Sequence, residues 1–173
     1  LGYDAFLHTR AELDAMAKTI ALKPCVQNPV DVAWGDKGLP RHAAIAHDIV
    51  YAGRCVGDKI DEICAAIRAG GGQGCVITRP DSVSWLLNVR VPALPIEPVV
   101  HGNAVDHAVA AHVTLYTDVD CSAPAIVAAF GNRVTVRPLA DIAAGLKNAA
   151  KDRQAWQVDD YNTPAWFRQT LED

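Results

Sequence analysis

Residues 58 to 78 carry the pattern that most narrows the folds open to this chain. From Asp58 onward, Ile60, Ile63, Cys64 and Ile67 recur at helical spacing and share one face. The run stops at Ala69-Gly70-Gly71-Gly72, where glycine can adopt the left-handed conformation that ends a helix. Cys75-Val76-Ile77-Thr78 follows at once as a short, buried-type strand. A helix turned directly into a buried strand is a building unit of α/β folds.

The alternation continues downstream. Arg79-Pro80 closes the strand, and Asp81 is expected to cap a helix with Val83, Trp85, Leu86 and Leu87 as its apolar residues. Pro92, Pro95 and Pro98 make the next stretch rigid and non-helical. Val99-Val100 and Val113 to Thr117 read as strands separated by a turn near Gly102-Asn103. No helix lies between them, so they predict a hairpin and a mixed sheet. Ser122 is expected to cap a helix through Ala125, Ile126, Val127 and Phe130, with Pro124 in its first turn and Gly131-Asn132 as its stop. Val134 to Val136 is the next strand, and Pro138 opens a helix with Leu139, Ile142, Ala143 and Leu146 on one face. Ala155 to Val158 is a last strand, and Thr163-Pro164 opens a final helix holding Trp166, Phe167 and Leu171. The sum is a three-layer α/β/α sandwich around a mixed sheet.

Upstream, residues 9–22 predict a helix with Leu13, Met16, Ala17 and Ile20 on one face, and Thr9 with Glu12 forms a capping box. Lys23-Pro24 stops it, and Cys25 to Gln27 reads as a short strand. Residues 28–47, punctuated by Pro29, Gly35, Gly38 and Pro40, read as a long connection and a domain boundary.

Charge and composition remove several function classes. The net charge of −4 and a pI near 5.8 argue against nucleic acid as a partner. Apolar runs such as Ala125 to Phe130 fall far short of the ~20 residues that span a bilayer, which excludes a transmembrane helix. Leu1-Gly2-Tyr3-Asp4 has no leader pattern and no initiator Met, so the chain is read as starting inside a longer protein, with an upstream targeting segment left open. The five cysteines form no C-x-x-C pair and read as free thiols of a reducing cytosol.

Each candidate chemistry has a plainer explanation. The loop Ala69-Gly70-Gly71-Gly72-Gln73-Gly74 follows a helix and precedes a strand, the reverse of a phosphate-cradling loop, and lacks a Lys-Ser/Thr pair. His101, His107 and His112, with Asp106, Asp118 and Asp120, could ligate zinc or manganese, but their spacing crosses a turn, and loop histidines are the better reading. His42 and His47 sit in the connection. Cys121 and Ser122 have no nucleophile elbow around them. Asp118/Asp120 and Asp159/Asp160 sit at strand ends, where acids mark turns and caps. Trp34, Trp85, Trp156 and Trp166 are too dispersed for a stacking platform. Trp85 stands out, because its helix ends in Asn88 and Arg90 before the proline-rich segment. These three are candidates for an interdomain contact or for a helix cap, two roles weighed equally.

Asp81-Ser82-Val83-Ser84-Trp85-Leu86-Leu87-Asn88-Val89-Arg90, followed by Val91 to Val99, resembles the Asp-x-Ile-Ala-Trp-Leu-x-Asn-x-Arg-Gly…Pro-Val signature of aminopeptidase P, the three-domain Xaa-Pro aminopeptidase family. Tyr51-Ala52-Gly53 with Asp58-Lys59-Ile60 is similar to the start of that family's second domain. Leu1 to Asp4 and Asn28 to Trp34 resemble the end of its first. Val113 to Asp118 and Val134 to Ile142 match the elements after the signature. Two departures are Val91, where the family has glycine, and Ala93, where it has an acid.

The resemblance implies a creatinase/prolidase-type N-terminal domain with a ribonuclease-H-like mixed sheet. It implies a parent enzyme that releases an N-terminal residue preceding proline. Two divalent metals, usually manganese, would be held by two Asp, one His and two Glu of a C-terminal catalytic domain that this chain lacks. No catalytic or metal-binding residue carries over. The expected division is a tail of the first domain (1–35), a linker (36–47) and the second domain (48–173). Expected partners are the parent's first and catalytic domains and its Xaa-Pro peptide, in the cytoplasm, with no nucleic acid and no membrane. The helix in the tail needs a cover, on the second domain or on another copy of the chain in a homodimer. The rival expectation is a free-standing interaction module without peptidase activity.

Overall fold

The computed structural model describes residues 1–35, 42–151 and 155–172. In chain order its elements are β1 (Gly2–Tyr3), α1 (Arg10–Ala17), β2 (Lys23–Pro24), α2 (Pro29–Trp34), β3 (Ile45–Ala46), α3 (Ile49–Ala52), α4 (Val56–Ala69), β4 (Gly74–Ile77), α5 (Pro80–Leu87) and β5 (Val89–Arg90). They continue with β6 (Gly102–His107), β7 (His112–Thr117), α6 (Pro124–Phe130), β8 (Val134–Arg137), a 3₁₀ turn at Leu139–Asp141, α7 (Ile142–Ala150), β9 (Trp156–Gln157) and α8 (Ala165–Glu172).

The main sheet has the order β8-β7-β6-β4-β9. β6 runs antiparallel to both β4 and β7, while β7 pairs parallel with β8 and β4 with β9. A meander of three strands with a later strand returning beside the first is the ribonuclease-H-like arrangement, here with β8 added outside β7. Side chains alternate across the sheet, and each face carries a core. Ala104, Val113 and Leu115 meet Ile60, Cys64 and Ile67 of α4, Leu86 and Leu87 of α5, and Ile126 and Phe130 of α6. Val76, Val105 and Tyr116 meet Ile142 and Leu146 of α7 and Phe167 of α8. The expected three layers and mixed sheet are present.

The turn that joins α4 to β4 follows the sequence logic. Gly71 takes φ +77°, and the Gly71 and Gly72 amides donate to the carbonyls of Arg68 and Ile67. The hairpin is displaced from its expected place. Its turn is Ala108 to Ala111, closed by the pair His107 and His112, and Ala111 adopts φ +49°. Gly102-Asn103 instead opens β6, where only glycine fits at 102, since a Cβ there would sit 2.8 Å from the Tyr116 carbonyl oxygen. The expected turn thus reflects a close strand approach. Arg68 and Arg133 hold the alanine turn instead, donating to the Ala108 and Ala111 carbonyls.

Other expectations shift by local chemistry. Asp81 lies in the first turn of α5 and pairs with Arg79, which occupies the N-cap position. Ser122 does not cap α6; its amide donates to Asp120. The strand expected at Cys25 to Gln27 forms two residues earlier, as β2 beside β1. The connection drawn over 28–47 holds a helix, α2, and residues 42–47 join the body: Ala44 is buried and β3 pairs with β5. Residues 36–41, with Gly38 and Pro40, lie outside the described residues.

α1 ends at Ala17, short of the expected Leu22, but its capping box is complete. It buries Leu13 alone. Leu13 is covered within the chain, while Ala17 and Ile20 of the expected face stay exposed, and the segment before α1 is tied to α8. The Ala11 amide donates to Asp160, and the amides of Ala165 and Trp166 donate to His8 and Ala5. Phe6 lies 5.1 Å from the Trp166 ring and 5.5 Å from that of Phe167.

Candidate interdomain contact site

Asn88 organises the region that the sequence singled out. It ends α5 at φ +50°, ψ +49°, a left-handed conformation that Asn tolerates better than most residues. Its amide caps the helix on Ser84. Its carbonyl accepts from the His47 amide at 2.7 Å, and its Nδ2 donates to the Arg54 carbonyl at 2.8 Å. Both ends of the segment carrying α3 are therefore tied to one side chain and its backbone. Oδ1 of Asn88 accepts from Lys59 Nζ at 2.6 Å.

Lys59 is buried on α4, and its ammonium has three neighbours. It donates to Asn88 and, at 2.7 Å, to the Trp85 carbonyl, and it lies 4.4 Å from the centroid of the Trp85 ring. None of these partners is a carboxylate. Burial, reinforced by the charges of Arg90 and Arg54, holds the ammonium below the ordinary lysine pKa. Arg90 Nη1 donates to the carbonyls of Ser84 and Val89, binding the end of α5 to β5. Val91, in the place of the family's glycine, is fully buried, and among the described non-glycine residues only Asn88 and Ala111 have positive φ.

These inward contacts support an outward apolar surface. Trp85 is 48% exposed and forms one wall of a groove of about 470 Å³ with Ile63, Ile77 and Leu86, rimmed by Asp81 and Ser82. α3 presents Ile49, Val50 and Tyr51 to solvent, the last two at 80% exposure, and Ile45 of β3 is also exposed. Asp48 caps this one-turn helix through the Val50 amide. Isolated exposed apolar residues are ordinary, but three in succession on a clamped turn form a knuckle suited to contact. Of this knuckle the sequence singled out only Tyr51, through the Tyr51-Ala52-Gly53 motif, while Ile45 fell in the expected linker.

The remaining candidates separate. His107 and His112 face each other across the hairpin, but His112 is engaged with Thr135 and the Asn132 carbonyl. Asp118 and Asp120 accept from the Leu139 and Ser122 amides, and Asp159 accepts from Tyr161 and Asn162, as turn acids do. Asp160 pairs with Arg168. Burial pushes the Cys121 thiol up to about 11, which keeps it protonated at neutral pH. Among the described residues no three His, Cys, Asp or Glu side chains converge to hold a metal.

A family model described as the Creatinase/Prolidase N-terminal domain matches residues 36–173. The chain belongs to this family. The match includes Lys59, Trp85, Asn88 and Arg90, so the whole cluster lies inside the creatinase/prolidase N-terminal domain. Similar curated proteins are the probable Xaa-Pro aminopeptidase P of Aspergillus niger and that of Blastomyces gilchristii. The first is 30% identical over 161 residues, covering 89% of this chain and 26% of that protein. The second is 29% identical over 171 residues, covering 94% and 27%. Among solved structures, X-prolyl aminopeptidase from Caenorhabditis elegans, described as a cytosolic enzyme with a di-nuclear active site, matches with a TM-score of 0.76 at 21% identity. That match covers 95% of this chain and 28% of the worm protein, and it establishes the shared fold. The chain thus spans about a quarter of the length of the curated relatives it matches.

Proposed function

We propose that this creatinase/prolidase N-terminal domain serves as the non-catalytic middle domain of an Xaa-Pro aminopeptidase, holding the first and catalytic domains in register around the peptide site. The observation that carries this is a pair of exposed apolar features, α3 and the Trp85 ring, whose supports converge on Asn88 and Lys59. Most of the length of the matched relatives lies outside the matched segment, which supplies a partner from within the same protein. In this reading residues 1–35 are the tail of the first domain, and residues 42–47 go with the second.

The parent would release an N-terminal residue preceding proline, with two divalent metals, manganese in the first instance, in its catalytic domain. The residues described here do not fit such a centre, so no step of that chemistry is assigned to them. The free cysteines suit a reducing, cytoplasmic setting. No described helix is long and apolar enough to cross a membrane.

The test is direct. The purified 173-residue chain, given an Xaa-Pro peptide and Mn²⁺, is expected to release no N-terminal amino acid above the metal-only blank. Metal-dependent turnover by this chain contradicts the proposal.

A further inference from the structure

Asp106 is the only buried carboxylate among the described residues, with no exposed surface. It lies on β6 and faces α4. Its Oδ1 accepts from Cys64 Sγ at 3.2 Å, and its Oδ2 has no partner. A thiol is a weak donor, so the ionised group is poorly compensated. Its surroundings come from three elements and one turn: Cys64 and Arg68 on α4, Cys75 across the register on β4, His112 on β7, and Arg133 in the turn after α6. The two arginines are committed elsewhere. Arg68 donates to the Ala108 carbonyl, and Arg133 donates to Asp61 and, at 2.7 Å, to the Ala111 carbonyl. Both therefore clasp the hairpin turn directly beyond Asp106.

We propose that Asp106 is a proton-operated latch beneath the β6–β7 hairpin: protonated, it is a neutral part of the core, and ionised, it draws water into the seam with α4 and loosens the hairpin. Burial outweighs the thiol bond and the arginine charges and pushes the carboxyl up to about 6, from an ordinary 3.8. A folded-state pKa above the unfolded value stabilises fully below the unfolded pKa, and that stability is lost as pH rises through the folded one. Depression of His107 by burial acts in the opposite direction and is removed by comparing variants.

Urea unfolding of the wild-type chain and of Asp106→Asn, from about pH 4.5 to 8, tests this. The folding constant of the wild type is expected to fall roughly twenty- to thirtyfold relative to the variant across that range. In the wild type alone, the Ala108 and Val113 amides should exchange faster at the higher pH after correction for intrinsic rates. Carbon-13 NMR of the Asp106 carboxyl, which needs no variant, should titrate near pH 6. Parallel stability curves, or a carboxyl that titrates below about 4.5, overturns the proposal; if Asp106→Asn fails to fold, the carboxyl titration decides.

Discussion

Replacing Phe167 with alanine is expected to lower the stability of the chain by about 3–5 kcal/mol, the usual cost of emptying a buried aromatic site. The ring is fully buried and joins α8 to Val76, Val105, Tyr116, Ile142 and Leu146. It also touches Phe6 and Trp166, at 5.5 and 5.1 Å between ring centroids. The cavity would open beneath both α8 and the N-terminal segment, whose His8 and Ala5 carbonyls accept from the Ala165 and Trp166 amides at the start of α8. At about 2–4 °C per kcal/mol for a chain of this size, the midpoint should drop by roughly 6–20 °C in a thermal melt. Phe6→Ala is the control. Phe6 is 38% exposed and should cost clearly less. Equal losses for the two would show that the N-terminal segment, and not α8, seals this face.

Lys59→Ala carries the second large effect, about 2–4 kcal/mol of lost stability in urea titration. Two opposing terms decide it. Removing a buried ammonium relieves its desolvation cost. Against that, Asn88 Oδ1 and the Trp85 carbonyl lose their donor, and an unsatisfied buried acceptor costs about 1–3 kcal/mol. The cavity left by the lysine stem adds to the loss. The second group should win, because the ammonium already has two short hydrogen bonds and an aromatic face. Lys59→Met fills the volume without the donors and should recover less than half of the loss. Full recovery with methionine would mean that Lys59 supports this region by bulk alone.

The layered fold was legible because helix faces such as Ile60, Cys64 and Ile67 and strands such as Cys75 to Ile77 carry their periodicity locally. Turn chemistry was less legible. Gly102-Asn103 has the composition of a turn, yet Gly102 is there to admit the Tyr116 backbone, and the true turn, Ala108-Val109-Ala110-Ala111, is held by two distant arginines. That misplacement also hid the burial of Asp106, which a strand over 102–107 would have placed on the same core-facing side as Ala104. Trp85, Asn88 and Arg90 were visible as a motif, but their division of labour was not. Asn88 and Arg90 point their bonds inward while the Trp85 ring is half-exposed, and the hydrogen bonds that decide this span 26 to 34 positions of sequence. α3 escaped notice because a single capped turn has no periodicity to read.

α3 and Trp85 are proposed to dock against other domains of a longer enzyme. Hydrogen exchange combined with covalent footprinting, run on this chain and on the full-length parent, tests it most directly. The account predicts that Ile49, Val50, Tyr51 and the Trp85 ring label readily in the isolated chain and are strongly protected in the parent, while the exposed Tyr161 labels equally in both. Equal labelling of the knuckle and of Trp85 in the two proteins would contradict it.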